Sequence, residues 1–301
     1  QDWKKYEEEL LDRMGSDNKM VRMIINRAKM DPKRIVFAEA DHLDVLKTAQ
    51  IVHEEGIGFP ILLGKKDIIL ELKKELGFDA DVPIIDPKTP EEVTRKNKFA
   101  KAYWKTRQRR GISLFDAENL MRERNYFAAM MVNQGEADAL LSGYSRSYPS
   151  VVKPMLQLID KAPGVSLIAT TNMMMTSRGP MFLSDTAINT NPSAEELAKI
   201  AIMTSKVARL FGIEPVIAMI SFSNFGSSTN ESANKVREAV EYLHKNHPEM
   251  IIDGEIQADF ALNPEMLSKK FPFSKLSGKK VNTLIFPNLE SANITYKLLK
   301  E

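Results

Sequence analysis

Two loops and a basic segment hold the residue types best suited to chemistry. Ser221-Phe222-Ser223-Asn224-Phe225-Gly226-Ser227-Ser228 follows the most strand-like run in the chain and precedes a helix. Backbone N–H groups at such a turn, joined by hydroxyls and a helix N-terminus, form a cradle for phosphate or another anion. Ser221, Ser223, Asn224, Gly226 and Ser227 are the candidate contacts there, with Gly226 permitting close backbone approach. An ordinary polar turn fits the same pattern, and both alternatives stay open. Asp253-Gly254-Glu255-Ile256-Gln257-Ala258-Asp259 sets three carboxylates and an amide directly after another strand. Asp253, Glu255 and Asp259 could orient a substrate, move a proton or hold magnesium, and a solvated loop is the competing reading.

Arg107, Arg109 and Arg110 close a helix just before Gly111, where they complement the helix dipole and could also hold a polyanionic ligand. Arg146 and Lys153 flank the Ser-Tyr-Pro segment after the apolar run 137–141, within reach of the same cleft. Glu39, Asp41 and Asp185 follow strands and read more simply as caps or turn residues. The histidines are His42, His53, His244 and His247, and none sits in an HExxH pattern, so no metal site is expected. P-loop, GxGxxG, GxSxG and EF-hand motifs are absent from the sequence. The 16 methionines are assigned to packing.

Composition narrows the field. Lys plus Arg is 42 and Asp plus Glu is 40, a formal net charge of +2. That balance supplies no long-range field for a nucleic-acid backbone or an anionic membrane, so neither is expected as a partner. The chain has no cysteine, which removes disulfides, thiolate metal sites and cysteine nucleophiles together and fits a reducing cytoplasm. No apolar run approaches the roughly 18 residues of a membrane span, and residues 1–15 are too charged for a signal peptide. The chain starts at Gln1, and the expectation is a piece of something longer.

The elements that must position these residues alternate. Residues 2–14 and 18–30 read as helices, the first with Trp3, Tyr6, Leu10 and Met14 on one stripe. Short apolar runs at 34–37, 60–63, 84–85 and 137–141 are separated by helical segments at 43–54, 66–76, after Thr89, after Ser113 and at 125–134. The second half reads as a long strand over 165–175 and a hairpin return at 181–184. A helix then starts at Asn191-Pro192-Ser193 and runs to about 211. Strands at 216–221, 250–253 and 283–286 and helices at 231–245 and 290–301 follow. Short apolar strands between longer helices predict parallel βαβ units with both sheet faces covered. Ligands in such sheets bind beyond the carboxyl ends of the strands.

The segments YFAAMMVNQGEADALLSG (126–143), NPSAEELAKIAI (191–202), AMISFSNFGSS (218–228), IDGEIQADFAL (252–262) and LIFPNLESANITYKL (284–298) resemble, in this order, the phosphotransacetylase family of phosphate acetyl- and butyryltransferases. The resemblance covers nearly the whole chain from residue 34. It implies an α/β fold of two three-layer αβα domains with a cleft between them, like isocitrate and isopropylmalate dehydrogenases. The implied domains are a connector over 1–30, a first domain over 31–156 to which helix 290–301 returns, and a second over 157–289. The family moves acetyl between coenzyme A and phosphate and is usually dimeric.

Position by position, Arg107 matches a family arginine placed for phosphate or coenzyme A. A second arginine, before a proline, falls on Lys153, which keeps the charge without the planar two-pronged donor set. The family's Ala-x-His reads Tyr144-Ser145-Arg146. A family Ser-Arg-Gly segment near the carboxyl end has no counterpart before Glu301, so no catalytic residue is assigned. YSRSYPSVVKP (144–154) and DWKKYEEELLDRMG (2–15) look like the C-terminal phosphotransacetylase-like domain of bacterial hybrid NADP-dependent malic enzymes. That likeness implies a regulatory domain that binds acetyl-CoA. Its partner would be an N-terminal malic-enzyme module of the same polypeptide, carrying NADP and a divalent metal, in a homodimer or larger homo-oligomer. An active phosphate acetyltransferase is the alternative.

Overall fold

A computed structural model describes residues 15–301, with side chains from residue 20 onward. The helix expected over 2–14 lies outside the described residues. The chain divides into two compact units, Arg22–Ala162 on one side and Pro163–Glu301 with residues 15–21 on the other. The first helix, α1 (Gly15–Met30), runs across that division.

In the first unit β1 (Lys33–Phe37), β2 (Gly58–Leu63), β3 (Ile84–Ile85) and β4 (Ala139–Leu141) form a parallel sheet in the order β3-β2-β1-β4. Side chains alternate across the strands, so consecutive residues enter different cores. Val36, Ile61 and Leu63 pack with Phe99 and Phe127 on one face, while Phe37 and Leu62 pack with Leu46, Ile69 and Phe78 on the other. Burial on both faces is what makes these strands nearly all apolar. The helices are α2 (Leu43–Glu54), α3 (Lys66–Leu76), α4 (Val93–Arg107), α5 (Leu114–Leu120), α6 (Arg124–Asn133) and α7 (Tyr148–Leu158).

The sequence pattern did not show α7, because Pro149 and Pro154 look like breakers. Pro149 stands in its first turn, where a missing N–H costs nothing. Pro154 stands inside the helix and cannot donate to the carbonyl of Ser150, four residues earlier. Asn125 of α6 supplies the missing donor, its Nδ2 reaching that carbonyl at 3.2 Å.

In the second unit β5 (Thr171–Thr176), β6 (Gly179–Ser184), β7 (Val216–Ile220), β8 (Ile251–Ile256) and β9 (Thr283–Ile285) lie in the order β5-β6-β9-β7-β8. The β5–β6 hairpin is antiparallel and the remaining pairs are parallel. Ile217, Met219, Ile252 and Ile285 pack against α8 (Ala194–Leu210) and α9 (Glu231–Asn246). Ala218, Ile220, Leu284 and Ile256 form a second core with α10 (Ala258–Ala261), α11 (Pro264–Lys270) and α12 (Leu289–Lys300).

Three expectations need correction here. The long strand over 165–175 is extended structure only from Thr171 onward. The strand at 250–253 continues to Ile256. Helix 290–301 does not return to the first unit: Ala292 is buried with Leu276, Leu284 and Phe286, and Asn293 Nδ2 donates to the Thr186 carbonyl at 3.0 Å. No helix among the described residues is long and apolar enough to cross a membrane.

Candidate functional site

The Ser221–Ser228 loop is a cradle, and its anion belongs to the protein. Glu255 Oε1 accepts from Ser223 Oγ at 2.9 Å, Gly226 N at 2.8 Å and Arg237 Nη2 at 2.9 Å, and its Oε2 accepts from Arg237 Nε at 3.1 Å. Other polar atoms of the loop bind each other or the segment after β8. Ser227 Oγ accepts from Asn224 N at 2.9 Å and lies 3.0 Å from Ser223 Oγ, while Ser221 Oγ accepts from Ser223 N at 3.3 Å. Asn224 Nδ2 donates to Gln257 Oε1 at 2.6 Å, and Gln257 N returns a bond to Asn224 Oδ1 at 2.9 Å. Arg237 is the member of this network that the sequence did not single out, while Gln257 is the amide directly after β8, the strand paired with β7.

The carboxylate cluster after the strand is therefore dispersed. Asp253 and Glu255 lie within β8 and are buried. Asp253 accepts from Ser274 Oγ and Lys275 N, both at 2.8 Å, away from the Glu255 partners. Asp259 alone is exposed, in the first turn of α10. Between the two buried acids, a Cβ at Gly254 would stand 2.6 Å from the Met219 carbonyl oxygen, so the β7–β8 approach excludes any side chain there. Burial acts to raise the Glu255 pKa. Donation from Arg237, Gly226 and Ser223 outweighs it and holds the carboxyl below its ordinary value.

The first unit repeats the device. Glu39, two residues past β1, is buried and accepts from Gly143 N at 2.7 Å, Tyr144 N at 3.0 Å and Ser145 N at 2.8 Å, with Ser145 Oγ added. Burial opposes ionisation, yet these donors bring the Glu39 pKa down to about 2. Nearby Asp41 forms a two-pronged pair with Arg124 at 2.7 and 2.9 Å. In the second unit Asp185 is buried too, accepting from Thr170 N at 3.0 Å and Asn189 N at 2.8 Å. At Glu39, Asp185 and Glu255 alike, loop N–H groups near a strand's carboxyl end close on an internal carboxylate.

The basic residues of the first unit remain more open. Arg107 Nη2 donates to the main-chain carbonyl of Gln157 in the last turn of α7, while Arg146 lies just before the first turn, so α7 separates them. Lys153 is exposed on that helix and Arg146 is exposed in its loop. Arg107 borders a pocket of about 210 Å³ shared with Tyr103, Arg110, Asn133, Gln157 and Asp160. Tyr103 and Tyr126 both donate to Gln157 Oε1, at 3.0 and 2.8 Å. Burial and the neighbouring Tyr103 push the Tyr126 phenol up to about 12. Arg107 and Arg110 thus give this pocket two guanidinium groups against the one carboxylate of Asp160, a net positive lining.

Comparison with known proteins follows the same lines. The family described as Phosphate acetyl/butaryl transferase matches residues 19–301. A phosphate acetyltransferase of Thermoanaerobacterium thermosaccharolyticum is 37% identical over 288 residues, covering 93% of this chain and 86% of that protein. An NADP-dependent malic enzyme of Haemophilus influenzae is 34% identical over 305 residues, covering 100% of this chain and 40% of that protein. Among solved structures, a phosphotransacetylase from Streptococcus pyogenes superposes with a TM-score of 0.84 at 35% identity, over 95% of this chain and 86% of that one.

Proposed function

The chain belongs to the phosphate acetyl/butaryl transferase family, and from that membership we propose that it moves an acyl group between coenzyme A and inorganic phosphate. The likeness itself carries this reading: the chain is 37% identical to the Thermoanaerobacterium phosphate acetyltransferase against 34% to the Haemophilus malic enzyme, and it superposes on the Streptococcus phosphotransacetylase with a TM-score of 0.84. In the proposed reaction a phosphate oxygen attacks the thioester carbonyl. A C–O bond forms, the C–S bond breaks and the thiolate of coenzyme A leaves. Bringing an anionic nucleophile to that carbonyl needs fixed positive charge that stays in place as charge shifts.

Arg107, with Arg110 on the same pocket, is the proposed contact for ligand phosphate, because a guanidinium offers several fixed donors to phosphate oxygens. Arg146 and Lys153 are proposed as further positive charge met by the ligand. Ser223, Gly226 and Glu255 have a positioning role instead: they fix the loop after β7 by bonding each other. The test is direct. Purified chain given acetyl phosphate and coenzyme A should form acetyl-CoA, and Arg107→Ala should raise KM for the phosphate-bearing substrate roughly tenfold, the loss of one charge-assisted bond.

A second reading, an acetyl-CoA-sensing domain joined to a malic-enzyme module, is favoured by one observation. The Haemophilus match runs over 100% of this chain, against 93% for the Thermoanaerobacterium enzyme. Acetyl-CoA binding by calorimetry without any transfer to phosphate would select it.

A further inference from the structure

We propose that Lys235 is an acylation site, where the side-chain amine on the wall of an open pocket takes an acyl group from a thioester. The pocket, about 600 Å³, is lined by Asn191, Ser193 and Glu196 around the start of α8 and by Thr229, Asn234 and Lys235 around the start of α9. These segments follow β6 and β7, and Pro287 follows β9, so the pocket lies beyond the carboxyl ends of three neighbouring strands.

The bonding around the nitrogen suits a nucleophile. Lys235 Nζ donates to Asn191 Oδ1 at 2.7 Å and to the Pro287 carbonyl at 2.9 Å. A neutral amine has two N–H bonds and one lone pair, so these two acceptors satisfy it and leave the lone pair free. An ammonium keeps the same two bonds and turns its third N–H into the open pocket, so the amine becomes a nucleophile once that proton is lost. Neither acceptor is charged, and no carboxylate among the described residues forms an ion pair with Lys235. Lys199 on α8, by contrast, is held by Glu195 at 2.7 Å. Burial favours the neutral form of Lys235, with Glu231 opposing it.

The lining also selects the donor. Glu196, Glu231 and Glu238 border the pocket and repel a phosphoryl group, whereas the reacting end of a thioester carries no charge. The amine attacks the acyl carbon, a C–N bond forms, the C–S bond breaks, and the departing thiolate takes the proton shed by nitrogen. The resulting amide keeps one N–H, so it cannot hold both Asn191 and Pro287, and the tie from α9 to those loops is halved. Thioester as donor follows from the reading of function above, but labelling by a simple thioester bears on Lys235 whether or not transfer to phosphate is detected.

The experiment exposes the full chain to S-acetyl-N-acetylcysteamine at mildly alkaline pH and maps acetylated lysines by peptide mass spectrometry, with Lys235→Arg as the blank. Lys235 is expected to acetylate roughly fivefold faster than Lys199 in the folded chain, to lose that preference in urea, and to label more slowly from acetyl phosphate. Equal rates at Lys235 and Lys199 in the folded chain overturn the proposal. So does a preference that persists in urea, or equal labelling from acetyl phosphate.

Discussion

At the scale of single residues, buried acids act as internal anions: Glu255 occupies the cradle offered to an outside anion, and Glu39, read as a cap or turn residue, is held the same way. Glu39 is ionised inside the protein because loop N–H groups surround it, and the free energy of those bonds is linked to pH. Its carboxyl sits near 2, against an ordinary 4.5. A depressed acid stabilises the fold fully above the ordinary value, and that contribution drains away as pH falls through the folded one. Glu39→Gln should therefore lower stability at neutral pH by on the order of 3 kcal/mol and flatten the loss between pH 4.5 and 2, read by urea unfolding at each pH. A steep profile unchanged by the substitution would contradict the assignment. The acids themselves were visible in the sequence. Their partners were not, since Gly143 lies 104 residues from Glu39 and Gly226 lies 29 from Glu255. A turn that can hold an anion does not declare whose anion it holds.

At the scale of elements, local signals were read well where they were local. Asn191-Pro192-Ser193 reads as a helix start, and Ser193 does begin α8, in a reciprocal cap with Glu196. The alternation of apolar runs with longer helical segments is likewise a short-range pattern, so the strands of both sheets were legible. Helix α7 was not, because its survival depends on a residue in another helix. Asn125 bonds the Ser150 carbonyl that Pro154 abandons, and its Oδ1 accepts from Ser142 Oγ at 2.7 Å. Asn125→Ala removes one donor from the Ser150 carbonyl and one acceptor from Ser142 Oγ, which still reaches Glu39, at a cost of about 1–2 kcal/mol. Circular dichroism melting would show the loss, and Asn125→Asp should rescue less than half, since it restores the acceptor without the donor. A melting temperature unmoved by Asn125→Ala would mean that water serves the carbonyl equally well.

At the scale of the whole molecule, each unit has cores of its own: none of the four buried clusters draws residues from both. Which unit a segment joins is a long-range property. The apolar stripe of α12 is visible from residues 289–300 alone, but nothing in it distinguishes one sheet from the other. Separate cores also mean that damage is unevenly felt. Phe127→Ala removes a fully buried ring packed edge-on against Phe99 at 5.2 Å between centroids. Such a truncation costs about 3–5 kcal/mol. Hydrogen exchange should speed up more at the amides of β1 and β4 than at those of β7 and β8. Uniform acceleration in both sheets would show a single cooperative unit instead. The candidate site follows the same division. The residues singled out in the sequence as polar loops and basic helix ends fall into separate local networks, a division that no pattern of spacing could show.

The setting of Glu255 has a practical corollary. Ser223, Gly226 and Arg237 are moulded to one carboxyl group, so Glu255→Ala leaves a hole with the shape and polarity of a small organic acid. Formate should enter it and win back much of the lost thermal midpoint, while chloride at matched ionic strength should not. A crippled protein mended by a simple salt would make this internal bond a reporter that can be switched on from the buffer.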